Sequence, residues 1–343
     1  MSANDSGTGR EQTPPAADGP RVAVVIPCYR ETAHILDVLA GIGPEVDAIH
    51  VVDDACPDGT GAYVRENCDD ARVAVTVNDA NLGVGGATMA GYRAALDDGA
   101  EILVKLDGDG QMDPALIPSL LHPIAAGTAD YAKGNRFHAL DGVTGMPWGR
   151  IIGNFVLSFA SKLSSGYWNI FDPTNGFTAI HAAAARRLPM DRLSNGYFFE
   201  SDMLFHLGMM RAVVVDVPMR AQYGSEQSGI QIPKIIPEFI GTHYLHPCRR
   251  IFFTYFIRET NAATLELVFG KLLVLFGIVF GAINWIDSEV TDVPATAGTV
   301  ILAALPIILG SQLLIAFLNY DTRNVPAAPI QGMDETVGET VKD

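Results

Sequence analysis

The chain has 343 residues, 48% of them hydrophobic, enough for one large domain or two smaller ones with an ample core. Its 39 acidic against 23 basic residues leave a net charge of −16, which argues against nucleic acid as a partner, since phosphate backbones need a basic footprint. Four cysteines, Cys28, Cys56, Cys68 and Cys248, show no paired metal spacing and read as reduced thiols of a cytoplasmic compartment.

Residues 1–20 are polar and rich in Gly, Pro and Ser, carry no apolar signal-peptide core, and read as a disordered lead-in. Arg21–Pro27 predicts a first buried strand, with a turn at Cys28–Glu31 and a helix over Thr32–Ala40. Ala48–Asp53 predicts a second strand and Val73–Val77 a third; a helix then opens at Asn81 and runs to Leu96. Glu101–Leu106 is a short, mainly apolar run that enters Asp107-Gly108-Asp109-Gly110-Gln111. Strands alternating with helices mean an α/β domain on a mostly parallel, doubly wound sheet, which binds ligands beyond the carboxyl ends of its strands. Two carboxylates one residue apart at such an end repel each other unless a cation lies between them, and hard oxygen donors suit Mg²⁺ or Mn²⁺. On this stretch alone a solvated Asp-Gly turn is the alternative. Gly83-x-Gly85-x-x-Thr88 is a poor dinucleotide fingerprint, because the third glycine is missing and the loop follows the third strand.

Ile26-Pro27-Cys28-Tyr29-Arg30-Glu31, Asp53-Asp54-x-x-Pro57-Asp58-Gly59-Thr60, Asn81-x-Gly83 and Asp107-Gly108-Asp109-Gly110-Gln111 resemble, in order and spacing, the four donor-site motifs of glycosyltransferase family 2. The resemblance implies the Rossmann-like GT-A fold. It also implies that Pro27, Tyr29, Glu31, Asp53, Asp54 and Asn81 shape the nucleotide site, and that Asp107, Asp109 and Gln111 hold the metal and the sugar diphosphate. Lys133-Gly134-Asn135-Arg136-Phe137 and Phe171-Asp172-Pro173-Thr174-Asn175-Gly176-Phe177 are similar to the polyprenyl-phosphate branch, which includes dolichol-phosphate mannose synthases and bactoprenol glucosyltransferases. That branch implies inverting transfer of one sugar from a UDP- or GDP-linked donor to a polyprenyl phosphate, with Arg136 and Arg150 at the acceptor phosphate. Asn154 lies one turn beyond Arg150 and joins the acceptor set.

Independently of the family, Arg150, Asn154, Ser158 and Lys162 recur every four residues as one polar stripe on an otherwise apolar helix. Such a helix suits a membrane interface, or else a core position with one wetted edge. Arg136 and Arg150 are alternatively structural ion-pair partners. Tyr197–Asp202 resembles the motif that holds a catalytic base. The candidate catalytic residues are therefore Asp109, Glu200 and Asp202, the last two positioning first, since a phosphate monoester is already largely dianionic at neutral pH. Residues 223–229 read as a loop near the acceptor. His243-x-x-His246 lacks a third zinc ligand, and Pro247 is expected to break the helix there.

Leu267–Ile286 and Ala297–Leu318 predict two transmembrane helices, the second kinked at Pro306 and carrying Gln312 as an interhelical contact. Arg249, Arg250 and Arg258 precede the first span and Arg323 follows the second, while the acidic connecting loop has no Lys or Arg; this places both ends and the catalytic domain in the cytoplasm. The expected plan is a disordered segment 1–20, a GT-A domain 21–230, juxtamembrane helices 231–264 whose arginines meet lipid phosphates, a hairpin 265–320 and an acidic tail 321–343. A homo-oligomer is compatible with this plan and not required by it. The competing readings are a processive polysaccharide synthase, whose Gln-x-x-Arg-Trp motif is missing here, and a non-catalytic membrane subunit.

Overall fold

The structure is a computed structural model and describes residues 19–137, 148–219 and 232–332. The predicted loop at 223–229, the lead-in 1–18 and the tail from 333 lie outside the described residues.

Seven strands form one mixed sheet: β1 (Val22–Cys28), β2 (Ala48–Asp53), β3 (Val73–Val77), β4 (Ile102–Lys105), β5 (Tyr131–Asn135), β6 (Thr178–His181) and β7 (Val214–Pro218). Their spatial order is β3-β2-β1-β4-β6-β5-β7, parallel throughout except for β6, which runs against both neighbours. β1 and the whole of β4 are buried on both faces, as their unbroken apolar runs require. From β1 the chain steps outward through β2 to β3 and then returns to the other side of β1 as β4. The switch point between the carboxyl ends of β1 and β4 is therefore where this topology opens a crevice. Helices α1 (Ile35–Ala40), α2 (Thr60–Asn67), α3 (Gly83–Asp97), α4 (Ile117–Ala125), α5 (Trp148–Ser165), α6 (Ala182–Arg187) and α7 (Phe199–Met210) cover the sheet. Two apolar clusters, one built on Val25, Leu103 and Ile180 and the other on Val24, Ile26 and Val104, form the core on its two faces.

Helix α5 carries its polarity inside out. Ile152, Phe155, Val156 and Phe159 face outward, whereas Ser158, Ser161 and Ser164 are buried against the protein. This excludes the core helix with a wetted edge and leaves an apolar face that the described chain does not cover.

Helix α8 (Ile232–Phe252) contains Pro247 and does not break there. Proline removes one helical hydrogen bond, but His246 and Arg250 on either side of it are packed inward and hold the helix through that position. A π-helical turn (Phe253–Arg258) follows, and the side chain of Asn261 then caps α9 (Ala262–Thr291) through a capping box with Thr264. α9 and α10 (Ala297–Arg323) span 30 and 27 residues and are long and apolar enough to cross a membrane. They pack through small residues: a Cβ on Gly310 would stand 2.7 Å from the carbonyl of Gly270. α10 is continuous through Pro306.

The sequence placed the juxtamembrane arginines against lipid phosphates, but Arg250 turns inward. Its guanidinium grips Asp321 bidentately (2.7 and 2.9 Å), and that carboxylate also accepts from Tyr255 Oη (2.7 Å) and Trp168 Nε1 (3.1 Å). Arg250 Nε donates to Leu163 O (3.1 Å), so the end of α5, α8, the π turn and α10 meet at one carboxylate. The segment after Arg323 differs likewise from an acidic tail. Ile330 is 2% exposed in the core, and Asp130 accepts the amides of Ile330 (2.9 Å) and Gln331 (3.0 Å), which straps the chain beyond the hairpin back onto the sheet domain.

Candidate active site

The crevice at the switch point is walled by three strand ends. At the end of β2, Asp53 is 2% exposed and accepts the amides of Cys56 (2.7 Å) and Gly61 (2.6 Å), which fixes the turn into α2. Asp54 accepts from Asn78 Nδ2 (2.8 Å) and from the amides of Leu82 (2.9 Å) and Gly83 (2.7 Å), so it shapes the loop that carries Asn81. Both aspartates thus act first on their own backbone. The glycines of that loop serve packing rather than pyrophosphate: Gly85 donates to Asn195 O (2.9 Å), and a Cβ would strike Ser194 O from Gly85 and Asn195 O from Gly83. At the end of β1, Pro27 lies in the strand itself, Tyr29 is exposed with Arg30 over its ring (5.5 Å), and the Glu31 amide donates to Thr60 Oγ1 (3.3 Å). Arg30 holds φ +67°, a left-handed bend that turns the chain out of the strand.

At the end of β4 the side chains of Asp107 and Asp109 are half-buried, and Gly108 between them packs toward Cys28, Glu31 and Ile35. Asp109 Oδ1 accepts the amide of Gln111 (2.9 Å). Burial, and then the carboxylates of Glu31, Asp53 and Asp107, push the Cys28 thiol up, which marks how closely these acids gather around the β1 end. Among the described residues no three His, Cys, Asp or Glu side chains converge on one metal position. Asp107 and Asp109 with the side-chain carbonyl of Gln111 nonetheless supply the hard oxygens that Mg²⁺ or Mn²⁺ takes, and such ions commonly bind one or two carboxylates and complete their shell with substrate phosphates. The donor set fits on those terms.

Sequence reasoning missed the cation beneath these acids. Lys105, 1% exposed, donates to Asp107 Oδ1 (2.6 Å) and lies 3.4 Å from both Glu200 Oε1 and Gly176 O. Burial alone would depress its charge, but Asp107 and Glu200 outweigh that and hold the ammonium above the ordinary lysine range. Residues two apart in a strand share a side, which is why Lys105 meets Asp107. Register places Lys105, Thr178 and Lys133 in one row across β4, β6 and β5. Lys133 donates to Asn175 O, and burial lowers its pKa to about 8 against the pull of Glu200 and Asp172. A lysine inside an otherwise apolar strand run was the available signal.

Glu200 and Asp202 part company. Two residues along a helix are separated by about 200° around its axis, and α7 turns Glu200 to Lys105 but Asp202 to the opposite side. There Asp202 accepts the Ser194 amide (2.7 Å), and its other oxygen lies 3.6 Å from both His206 Nε2 and His246 Nε2. Those groups line a separate cavity of about 490 Å³ with Arg192 and Arg249. His246 stacks on Phe205 at 3.8 Å, whereas His243 meets Ser164 Oγ (2.8 Å), so the His-x-x-His pair diverges.

Arg136 is engaged bidentately by Asp172 (2.8 and 3.0 Å) and reaches Thr174 (3.3 Å), clamping 171–177 to the end of β5. Nothing in the sequence pattern marks Asp172 as the partner of Arg136, 36 residues away. Arg150 and Asn154 lie one turn apart on α5.

The Glycosyl transferase family 2 profile matches residues 23–188. The chain is 34% identical over 204 residues to an undecaprenyl-phosphate mannosyltransferase of Micrococcus luteus, covering 58% of this chain and 82% of that protein. It is 31% identical to a polyprenol monophosphomannose synthase of Mycolicibacterium smegmatis, with 58% and 76% covered. Among solved structures, glucosyl-3-phosphoglycerate synthase from Mycobacterium tuberculosis, in complex with Mn²⁺, UDP and glucosyl-3-phosphoglycerate, superposes with TM-score 0.51 at 21% identity over 67% of this chain and 80% of that one. The shared architecture is GT-A.

Proposed function

The chain belongs to glycosyltransferase family 2, in its polyprenyl-phosphate branch, and from that premise we propose that it moves one sugar from a nucleotide sugar to a polyprenyl phosphate at the cytoplasmic face of a membrane. The observation that carries this reading is the crevice at the β1–β4 switch point, acidic on β4 and framed by the Asp53 and Asp54 loops, in a chain whose last long helices suit a bilayer. The names of the two curated relatives, an undecaprenyl-phosphate mannosyltransferase and a polyprenol monophosphomannose synthase, support the same acceptor class and the transfer of one sugar.

In the proposed reaction the 29–31 turn and the Asn81 loop hold base and ribose, the latter set by Asp54. Asp107 and Asp109 would hold a divalent cation, which when bound would supply positive charge to offset that building on the leaving nucleotide. Arg150, Asn154 and Arg136 steer the acceptor phosphate, whose oxygen attacks the anomeric carbon opposite the leaving group and so inverts it. The acceptor needs little deprotonation, so Glu200 serves to hold the site's geometry. Asp202, on the far side of α7, has no proposed contact with the reacting atoms. The outward apolar face of α5 and the exposed Tyr244, Phe252 and Ile257 sit in the bilayer interface and bring the acceptor within reach. Charge asymmetry around the hairpin supports a topology with both ends in the cytoplasm.

The test is transfer of labelled sugar from nucleotide donors into organic-extractable lipid, using membranes supplied with polyprenyl phosphate. Metal-dependent extraction of label is expected; its absence with every donor, while the purified protein binds neither Mn²⁺ nor nucleotide sugar, would favour a non-catalytic subunit. In the same assay Arg150→Ala is expected to raise the acceptor KM about tenfold or more while donor affinity stays within about twofold, as loss of a charged phosphate contact should. Equal losses on both substrates would make Arg150 a structural residue.

A further inference from the structure

A lysine buried in a sheet keeps its charge only where carboxylates surround it. Lys105 is surrounded in this way because three segments cooperate. Strand periodicity carries Asp107 to its side, α7 lowers Glu200 onto it, and Gly176 leaves the necessary room. A Cβ at position 176 would stand 2.5 Å from Lys105 Nζ and 2.7 Å from Asp107 Oδ2, so a side chain there would push ammonium and carboxylate apart. The ammonium thus collects three oxygens, from Asp107, Glu200 and the Gly176 carbonyl.

We propose that Lys105 is a resident cation of the donor site: it orients Asp107 and Glu200, and it holds divalent-cation affinity low until the donor's diphosphate arrives, so that metal and nucleotide sugar load together. The inference rests on the reading given under Proposed function. Its physical basis is charge balance. A unit positive charge 2.6 Å from Asp107 opposes any second cation on that carboxylate. A nucleoside diphosphate adds negative charge and further oxygen ligands, which restores the attraction. Lys105 acts through Asp107 and Glu200, and is therefore argued as a positioning residue.

The experiment is an EPR titration of Mn²⁺ onto the purified full chain, with and without UDP or GDP, for the wild type and Lys105→Met. The wild type should bind Mn²⁺ about tenfold or more tightly with one of the nucleotides than without. Lys105→Met should bind Mn²⁺ alone about tenfold more tightly than the wild type, show weaker coupling to nucleotide, and lose kcat more than donor affinity. A purely structural lysine would leave metal affinity unchanged or weaken it, and either result overturns the proposal. Should Lys105→Met fail to fold by circular dichroism, the charge-balanced K105M/E200Q is compared with E200Q, and the double variant must bind Mn²⁺ more tightly. A wild type that binds no Mn²⁺ with either nucleotide defeats the metal-dependent reading itself, whereas equal Mn²⁺ binding with and without nucleotide defeats only the role of Lys105.

Discussion

Replacing Asp109 by Ala should lower sugar transfer by about 10²–10³-fold while the protein stays folded and in the membrane. The side chain is half-buried at a strand end and belongs to neither apolar cluster, so its loss opens no core cavity. Its Oδ1 contact to the Gln111 amide is local to the loop. What disappears is one of two carboxylates able to hold a cation against the leaving diphosphate, an interaction felt most as charge develops. Transfer measured across a metal titration, with a melting curve beside it, checks both halves. Near-normal transfer at limiting metal would refute the metal role of Asp109.

Asp321→Ala should cost about 3–5 kcal/mol, because it leaves Arg250 buried without its counter-ion. Asp321 is 3% exposed and collects Arg250, Tyr255 and Trp168, so a single truncation unties the hairpin from the catalytic domain at one point. A detergent-solubilised sample should show a lower midpoint of thermal unfolding and faster proteolysis between the domain and α9. Replacing both members by apolar residues, Arg250→Met with Asp321→Leu, should recover part of the loss, since no charge is left to desolvate although Tyr255 Oη, Trp168 Nε1 and Leu163 O lose their partners. A loss below about 1 kcal/mol for Asp321→Ala, the size of an exposed pair, would show that this contact is not the joint.

Local patterns were legible in the sequence, and contacts between distant segments were not. The bounds of β2 and β3 follow from apolar runs ended by acidic or glycine-rich turns, and the two apolar spans from length and composition. The gathering of Glu31, Asp53 and Asp107 around the β1 end follows from strand order, once alternation with helices implies a parallel sheet. The antiparallel insertion of β6 was not legible, because pairing of Lys105 with Thr178 spans the intervening β5 and α5. Glu200 and Asp202 looked like one acidic motif because they are two apart, but the helical period separates them. Arg250 looked like a lipid contact because nothing near it in sequence is acidic; its partner lies 71 residues on. The 326–332 segment reads as tail by composition, and contacts with distant residues, Asp130 and the core pocket for Ile330, give it a place.

In the proposed reaction the two carboxylates beyond β4 would carry a divalent cation at the donor's diphosphate. Phosphorus hyperfine coupling to bound Mn²⁺, measured by pulsed EPR on the full chain with a nucleoside diphosphate, tests it most directly. A clear ³¹P coupling is expected in the wild type and should vanish in Asp109→Ala. Mn²⁺ bound without phosphorus nearby, or a coupling that survives replacement of both Asp107 and Asp109, would contradict it.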